Sequence, residues 1–188
     1  MEYLIKNHEV NKIYPIFHVA LPLIFTEIPR LKKLKINRYS LIIGALLPDI
    51  IDKPLFLLGF GNGRFLSHTL LFAIISFLIV HFSSKKNVSI SFPFFIGIVF
   101  HFLLDIPHVP FFYPFIKYDF GVVDEPFLFW IKQLWTEPLV IITEGTGVLF
   151  IIYILIKNKL YQIDKLSEYL RGINQTFIQN SKEVEISV

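Results

Sequence analysis

Three apolar runs, Phe65 to Phe82, Val88 to Ile106 and Pro138 to Ile156, are each roughly 18 to 20 residues long, about the length an α-helix needs to cross the hydrocarbon of a bilayer. Two shorter runs join them. One spans Tyr14 to Ile28 and contains Pro15 and Pro22; the other begins near Tyr39 with SLIIGALL and meets Pro48 and Asp49 early. These two read as helical segments that tilt, re-enter or lie partly outside the hydrocarbon. Composition agrees with a lipid solvent. Of 188 residues, 54% are apolar, 18% are charged and 21 are phenylalanine, whereas a soluble domain carries about 25% charged residues and a small one cannot bury so much apolar surface. The expected fold is all-α: a polytopic membrane bundle of about five helices over residues 1–158. An amphipathic helix and tail follow over 159–188, with Ile163, Leu166, Leu170, Ile173 and Phe177 at helical spacing.

The basic residues alternate in position. Arg30, Lys32, Lys33, Lys35 and Arg38 follow the first segment, Lys85 and Lys86 the third, and Lys157, Lys159 and Lys165 the fifth. Just before the third segment stands Arg64. The stretch from Pro107 to Glu137 is acidic, with Asp119, Asp124, Glu125 and Glu137 against Lys117 and Lys132. The positive-inside rule then places the N-terminus outside and the C-terminus in the cytoplasm. The Pro107–Glu137 stretch, rich in proline and aromatic residues, reads as a loop on the outer rim.

Several functions are excluded or not supported. There is no cysteine, hence no disulfide, thiolate metal site or cysteine nucleophile. The net charge of +3 comes from loop runs rather than a basic face interleaved with aromatics, so no nucleic-acid partner is expected. Met1 to Tyr14 mixes charges of both signs and does not read as a secretory signal.

Ionisable side chains inside apolar helices cost about 2.5 to 3.5 kcal/mol each on insertion scales and usually serve a purpose. This chain has His18 in the first segment, Asp49 and Asp52 at an LPDIID break, and His68 in the third segment. It also has His101 and Asp105 in the fourth and Glu144 in the fifth. In the topology above all fall in the outer half of the bundle. His101 and Asp105 are four apart and share a helix face; Asp49 and Asp52, three apart, do so if the turn stays helical. Imidazole and carboxylate without sulfur suit Zn²⁺, Mn²⁺ or a two-metal hydrolytic site. Plainer roles are open to each residue: His68 as a packing residue, His101 and Asp105 as an intrahelical pair, Asp49 as a cap. Glu144 can bond within the bundle, with Gly145 and Gly147 permitting close helix contact. His81 lies at the opposite end, His8 in the polar N-terminus, and His108 between two prolines.

The order His18, GALLPDIID (Gly44–Asp52), GRFLSHTLLF (Gly63–Phe72), HFLLDI (His101–Ile106) and FFYPF (Phe111–Phe115) resembles the inner-membrane metal-dependent hydrolase family (YdjM-like). That family has an early His, an LPDxD-type motif, an HRGxTHS-type motif and a final HxxxD motif. More distantly it is similar to zinc-dependent phospholipases C. Gly63 stands where the third motif has its first His, Ser67 where it has Thr, and Asp52 comes one residue late. The resemblance implies metal ligation by His18, Asp49, His68, His101 and Asp105, with zinc the first choice. In the hydrolase hypothesis Asp52 or Glu144 takes the part of general base and Arg64 that of a phosphate contact. The expected activity is metal-dependent hydrolysis of a phosphoester or lipid-like substrate at the non-cytoplasmic surface, with membrane lipid as partner. The alternatives are an ion- or proton-coupled transporter and a non-catalytic scaffold whose polar cluster fixes helix packing.

Overall fold

The computed structural model describes residues 14–60, 63–107, 109–118 and 125–172. His8, His108, Asp119, Asp124 and the continuation of the C-terminal pattern to Ile173 and Phe177 lie outside them. The described residues form eight helices and no strand: α1 (Pro15–Phe25), α2 (Pro29–Lys32), α3 (Arg38–Leu57), α4 (Leu70–Ser83), α5 (Val88–Asp105), α6 (Pro126–Thr136), α7 (Pro138–Lys157) and α8 (Ile163–Arg171).

Five of these, α1, α3, α4, α5 and α7, correspond to the five apolar segments. Their lengths differ from expectation. Only α5 and α7, of 18 and 20 residues, are both long and apolar enough to cross a membrane; α1 and α4 have 11 and 14 residues. The third apolar run therefore supplies a helix shorter than the expected spanning length. Its first five residues stay out of helix because the amides of Phe65 and Ser67 donate to the Asp52 carboxylate, and Thr69 then caps α4 by accepting from Phe72 N–H. The second segment departs the other way. Its helix does not end at the LPDIID break but continues for 20 residues through Pro48 and Pro54. A proline removes one backbone donor. Side chains also bond to carbonyls of this helix, His101 to that of Ala45 and Ser67 to that of Pro48. The Pro107–Glu137 stretch is not all loop either, since α6 occupies its last third. The amphipathic α8 is present over nine residues and ends at Gly172, whose φ of 74° suits glycine.

The centre of the bundle is the pair α3 and α5, with α1 against α3 and α7, and α4 against α5. Glycine sets the closeness of α3 and α5. A Cβ on Gly44 would stand 2.0 Å from the Phe94 carbonyl oxygen, and one on Gly97 would stand 2.2 Å from that of Leu41. Small residues let helix backbones approach in this way. Gly147 of α7 does the same against Phe17, but Gly145 faces open space and takes no part in the contact expected of it. One apolar cluster (Ala73, Phe94, Ile98, Phe102, Val109) joins α4 to α5, and another (Leu23, Leu41, Ile154, Leu160) joins α1, α3 and α7. The outer face of α7 leaves Ile142, Leu149 and Ile156 64–69% exposed, a surface suited to lipid.

Candidate metal centre

Three helices and one short irregular stretch bring the histidines and aspartates together. His18 comes from the first turn of α1, Asp49 and Asp52 from the second half of α3, and His101 and Asp105 from the last two turns of α5. Residues 63–69 cross over this end and insert Arg64 and His68. The site lies at the end of α3 and α5 away from the basic residues that begin each helix or precede it, Arg38 and Lys85–Lys86.

Every group is buried. His18, His68 and His101 are fully covered, and Asp49, Asp52, Arg64 and Asp105 are at most 4% exposed. The Nδ1 of His68 lies 2.7 Å from Asp52 Oδ2. The Nδ1 of His101 lies 2.7 Å from the Ala45 carbonyl oxygen. Both partners only accept, so both Nδ1 atoms donate, and in the neutral rings the Nε2 atoms present lone pairs. Those two Nε2 atoms face each other at 3.0 Å. Asp105 Oδ2 is 3.3 and 3.6 Å from them, and Asp49 Oδ1 is 3.7 and 3.8 Å. One donor atom from each of Asp49, His68, His101 and Asp105 lies within 4.8 Å of the others. A tetrahedral zinc site has donor–donor edges of about 3.3 Å, so this set is near the required size.

The surrounding bonds orient these donors. Asp52 accepts from the amides of Phe65 and Ser67 as well as from His68. Arg64 Nη2 donates to Asp105 Oδ1 at 2.7 Å, which turns Oδ2 toward the histidines. Imidazoles held by carboxylate or carbonyl acceptors are the usual outer arrangement of a metal site. Two further observations fit a cation. Both Asp49 oxygens are buried without a hydrogen bond among the described residues, and so are both nitrogens of His18. Buried polar groups are rarely left so.

The eight residues singled out from the sequence thus have distinct places. Asp49, His68, His101 and Asp105 share one donor set. His18 is beside it, stacked on the His101 ring at 4.1 Å with Nε2 3.7 Å from Asp105 Oδ1. Asp52 and Arg64 touch the set through His68 and Asp105. Glu144 is elsewhere: it accepts from the first-turn amides of α1, Ile16 at 3.3 Å and Phe17 at 2.9 Å, groups that α1 itself cannot satisfy. His81 bonds Ser91 at the other end of α4 and α5.

Lys53 was not anticipated. Its Nζ is 3.4 Å from Asp49 Oδ1, and its side chain is 16% exposed, more than any other charged group at the site. The signal was present, since it stands four residues after Asp49 on the same helix face. A second polar network also escaped the sequence. Buried Arg38 donates to Thr26 Oγ1 and to the Tyr169 carbonyl and lies over the Tyr169 ring. Glu27 accepts from Lys32 and from the Tyr169 hydroxyl. This network fastens α8 to the basic end of the bundle. Burial opposes ionisation of Glu27, but the bonds from Lys32 and Asn158 and the Lys32 charge outweigh it and hold its carboxyl below the usual range. Burial pushes the Tyr169 hydroxyl up to about 12.

No curated protein and no solved structure matches the chain. The family model described as YdjM inner membrane protein matches residues 15–164, a span that contains all of the donor set and every helix up to α7. With its apolar helices, its buried His/Asp group and this match over most of its length, the chain belongs to the YdjM inner membrane protein family.

Proposed function

We propose that the protein is a membrane-bound, metal-dependent hydrolase acting on a phosphoester of a lipid-like substrate at the non-cytoplasmic membrane surface. One observation carries this reading: two Nε2 atoms, on rings whose Nδ1 atoms are bonded to acceptors behind them, face each other at 3.0 Å between two carboxylates. Nitrogen and oxygen donors without sulfur suit Zn²⁺ first and Mn²⁺ second. A divalent cation bound there supplies Lewis acidity and an acidified water.

The chain's own residues do the rest. His68 and His101 are held in one tautomer by Asp52 and by Ala45. Asp105 is divided between Arg64 and the donor set. His18 adds a further nitrogen beside Asp105. In this reading Asp52 and Glu144 position other groups, because their oxygens are already taken by N–H donors. Lys53 stands at the Asp49 side, where its ammonium would meet an arriving phosphate oxygen. The location at the end away from the basic loops supports an outer-headgroup position under the positive-inside rule.

The test is metal analysis of the purified protein together with hydrolysis of bis(4-nitrophenyl) phosphate and of phosphatidylglycerol in mixed micelles. Stoichiometric zinc or manganese and hydrolysis, both lost in a His68→Ala/His101→Ala variant, are expected. A protein that neither contains metal nor binds added metal would overturn the reading. Metal binding without hydrolysis of either substrate would refute the hydrolase part alone.

A further inference from the structure

At the other end of the same helices is a cavity of about 410 Å³, within the usual size of ligand pockets, about 300 to 1,000 Å³. Its walls are apolar: Phe25 of α1, Leu41 of α3, Phe92, Ile96 and Phe100 of α5, and Leu34 from the α2–α3 connection. Thr26, Lys35 and Ser89 are the polar side chains of the lining, and the Thr26 hydroxyl is already bonded to Leu23 and Arg38. The cavity shares no residue with the metal centre. Along α5, Phe92 and His101 are nine residues apart, which is roughly 13 Å of helix.

Two observations say what could occupy it. Apolar residues at its mouth remain open, with Phe25, Leu34, Val88 and Phe92 at 42–62% exposure. Both walls also issue from basic stretches. Exposed Arg30, Lys33 and Lys35 lead into Ile36 and α3, and exposed Lys85 and Lys86 lead into Val88 and α5. An oily cavity entered between two cationic loops matches an amphiphile with a hydrocarbon tail and an anionic head. A free phosphate would leave the walls unfilled. A peptide would bring backbone groups that these walls cannot bond. Juxtamembrane lysines and arginines attract acidic lipid headgroups.

We infer that this cavity holds one acyl chain of an anionic phospholipid, with its phosphate between the α2–α3 and α4–α5 loops. This lipid site lies at the end of the bundle away from the metal centre and does not depend on the hydrolase reading.

The experiment uses the full-length, metal-loaded protein, delipidated in dodecylmaltoside and then given phosphatidylglycerol or phosphatidylcholine. Native mass spectrometry counts the lipids retained. One tightly held phosphatidylglycerol is expected, preferred over phosphatidylcholine on the order of tenfold. Ile96→Trp should remove it by filling the cavity, with metal content unchanged. Ser89→Phe, at the exposed start of α5, provides the same test should Ile96→Trp fold poorly. Lys33→Glu/Lys35→Glu should abolish the preference while melting and metal content hold. Undiminished phosphatidylglycerol in both filling variants, or equal retention of the two lipids by the wild type, would overturn the inference. So would a gain in retention on deleting residues 173–188, which would make the chain's own tail the occupant.

Discussion

His68 and His101 meet through their Nε2 atoms at 3.0 Å, each ring held from behind by an acceptor at its Nδ1. Two neutral nitrogens at that distance repel unless a proton or a metal ion lies between them, and the two carboxylates alongside favour the metal ion. Chelation should therefore destabilise the fold. A metal held at 100 times its Kd contributes about 2.7 kcal/mol, so the thermal midpoint of the purified protein should fall by roughly 5 to 10 °C with EDTA. Restoring zinc should reverse the fall. A melting curve indifferent to chelator would point to the packing-scaffold alternative instead.

Asp52 is expected to tune the metal without touching it. Asp52→Asn keeps the size of the side chain but weakens its hold on the His68 Nδ1 proton and on two loop amides. Loss of such an outer partner typically costs 10- to 100-fold in metal affinity. Competition against a fluorescent zinc chelator measures this directly, and wild-type affinity in the variant would remove Asp52 from the site.

Arg64 and Asp105 form a buried ion pair at 2.7 Å. Removing one partner of such a pair leaves an uncompensated charge and costs about 3 to 5 kcal/mol. Arg64→Met should show that loss in the metal-free protein. The loss should be smaller in the metal-loaded protein, because the cation then faces the same carboxylate. Thermal unfolding of both forms is the measurement, and equal losses would show that Asp105 does not face the metal.

The closeness of α3 and α5 sets the geometry of the site. Gly44→Ala places a methyl group 2.0 Å from the Phe94 carbonyl oxygen, and overpacking of this kind costs about 1 to 3 kcal/mol. Parting the helices also lengthens the bond between His101 and Ala45, so metal affinity should drop with stability. Gly145→Ala, which meets open space, should be neutral or slightly stabilising. Equal effects of the two substitutions on zinc binding would sink this account.

Docking of α8 should depend on pH at both extremes. Glu27 has its pKa lowered in the folded protein, so its contribution is present above the ordinary value of 4.5 and is lost as pH falls through the lower folded value. Tyr169 has its pKa raised, so its contribution is present below 10 and is lost as pH rises toward about 12. Proteolysis near Gly172 should accelerate outside this window. Glu27→Gln should flatten the acid limb and leave the alkaline limb in place.

The sequence alone determined the solvent and the class of fold. Long apolar runs require lipid or burial wherever they fold, and their helical character depends on neighbours a few residues away. The His/Asp set was legible for a related reason: charge in an apolar run is anomalous in any arrangement. Local information could not assign roles within that set. Asp49 and Asp52 are nearly identical in sequence context, yet one faces the facing histidines and the other holds His68 from behind. That difference arises because residues 63–69 fold back onto α3 and present their amides to Asp52. Glu144 looked like a member of the site until the packing of α7 on α1 assigned it to two backbone amides. The length of α4 was likewise misjudged from its apolar run, because hydropathy does not reveal that Asp52 draws the preceding amides out of helix. Hydropathy and spacing are local, whereas the partner of a buried hydrogen-bonding group is chosen by whichever distant segment the tertiary structure places against it.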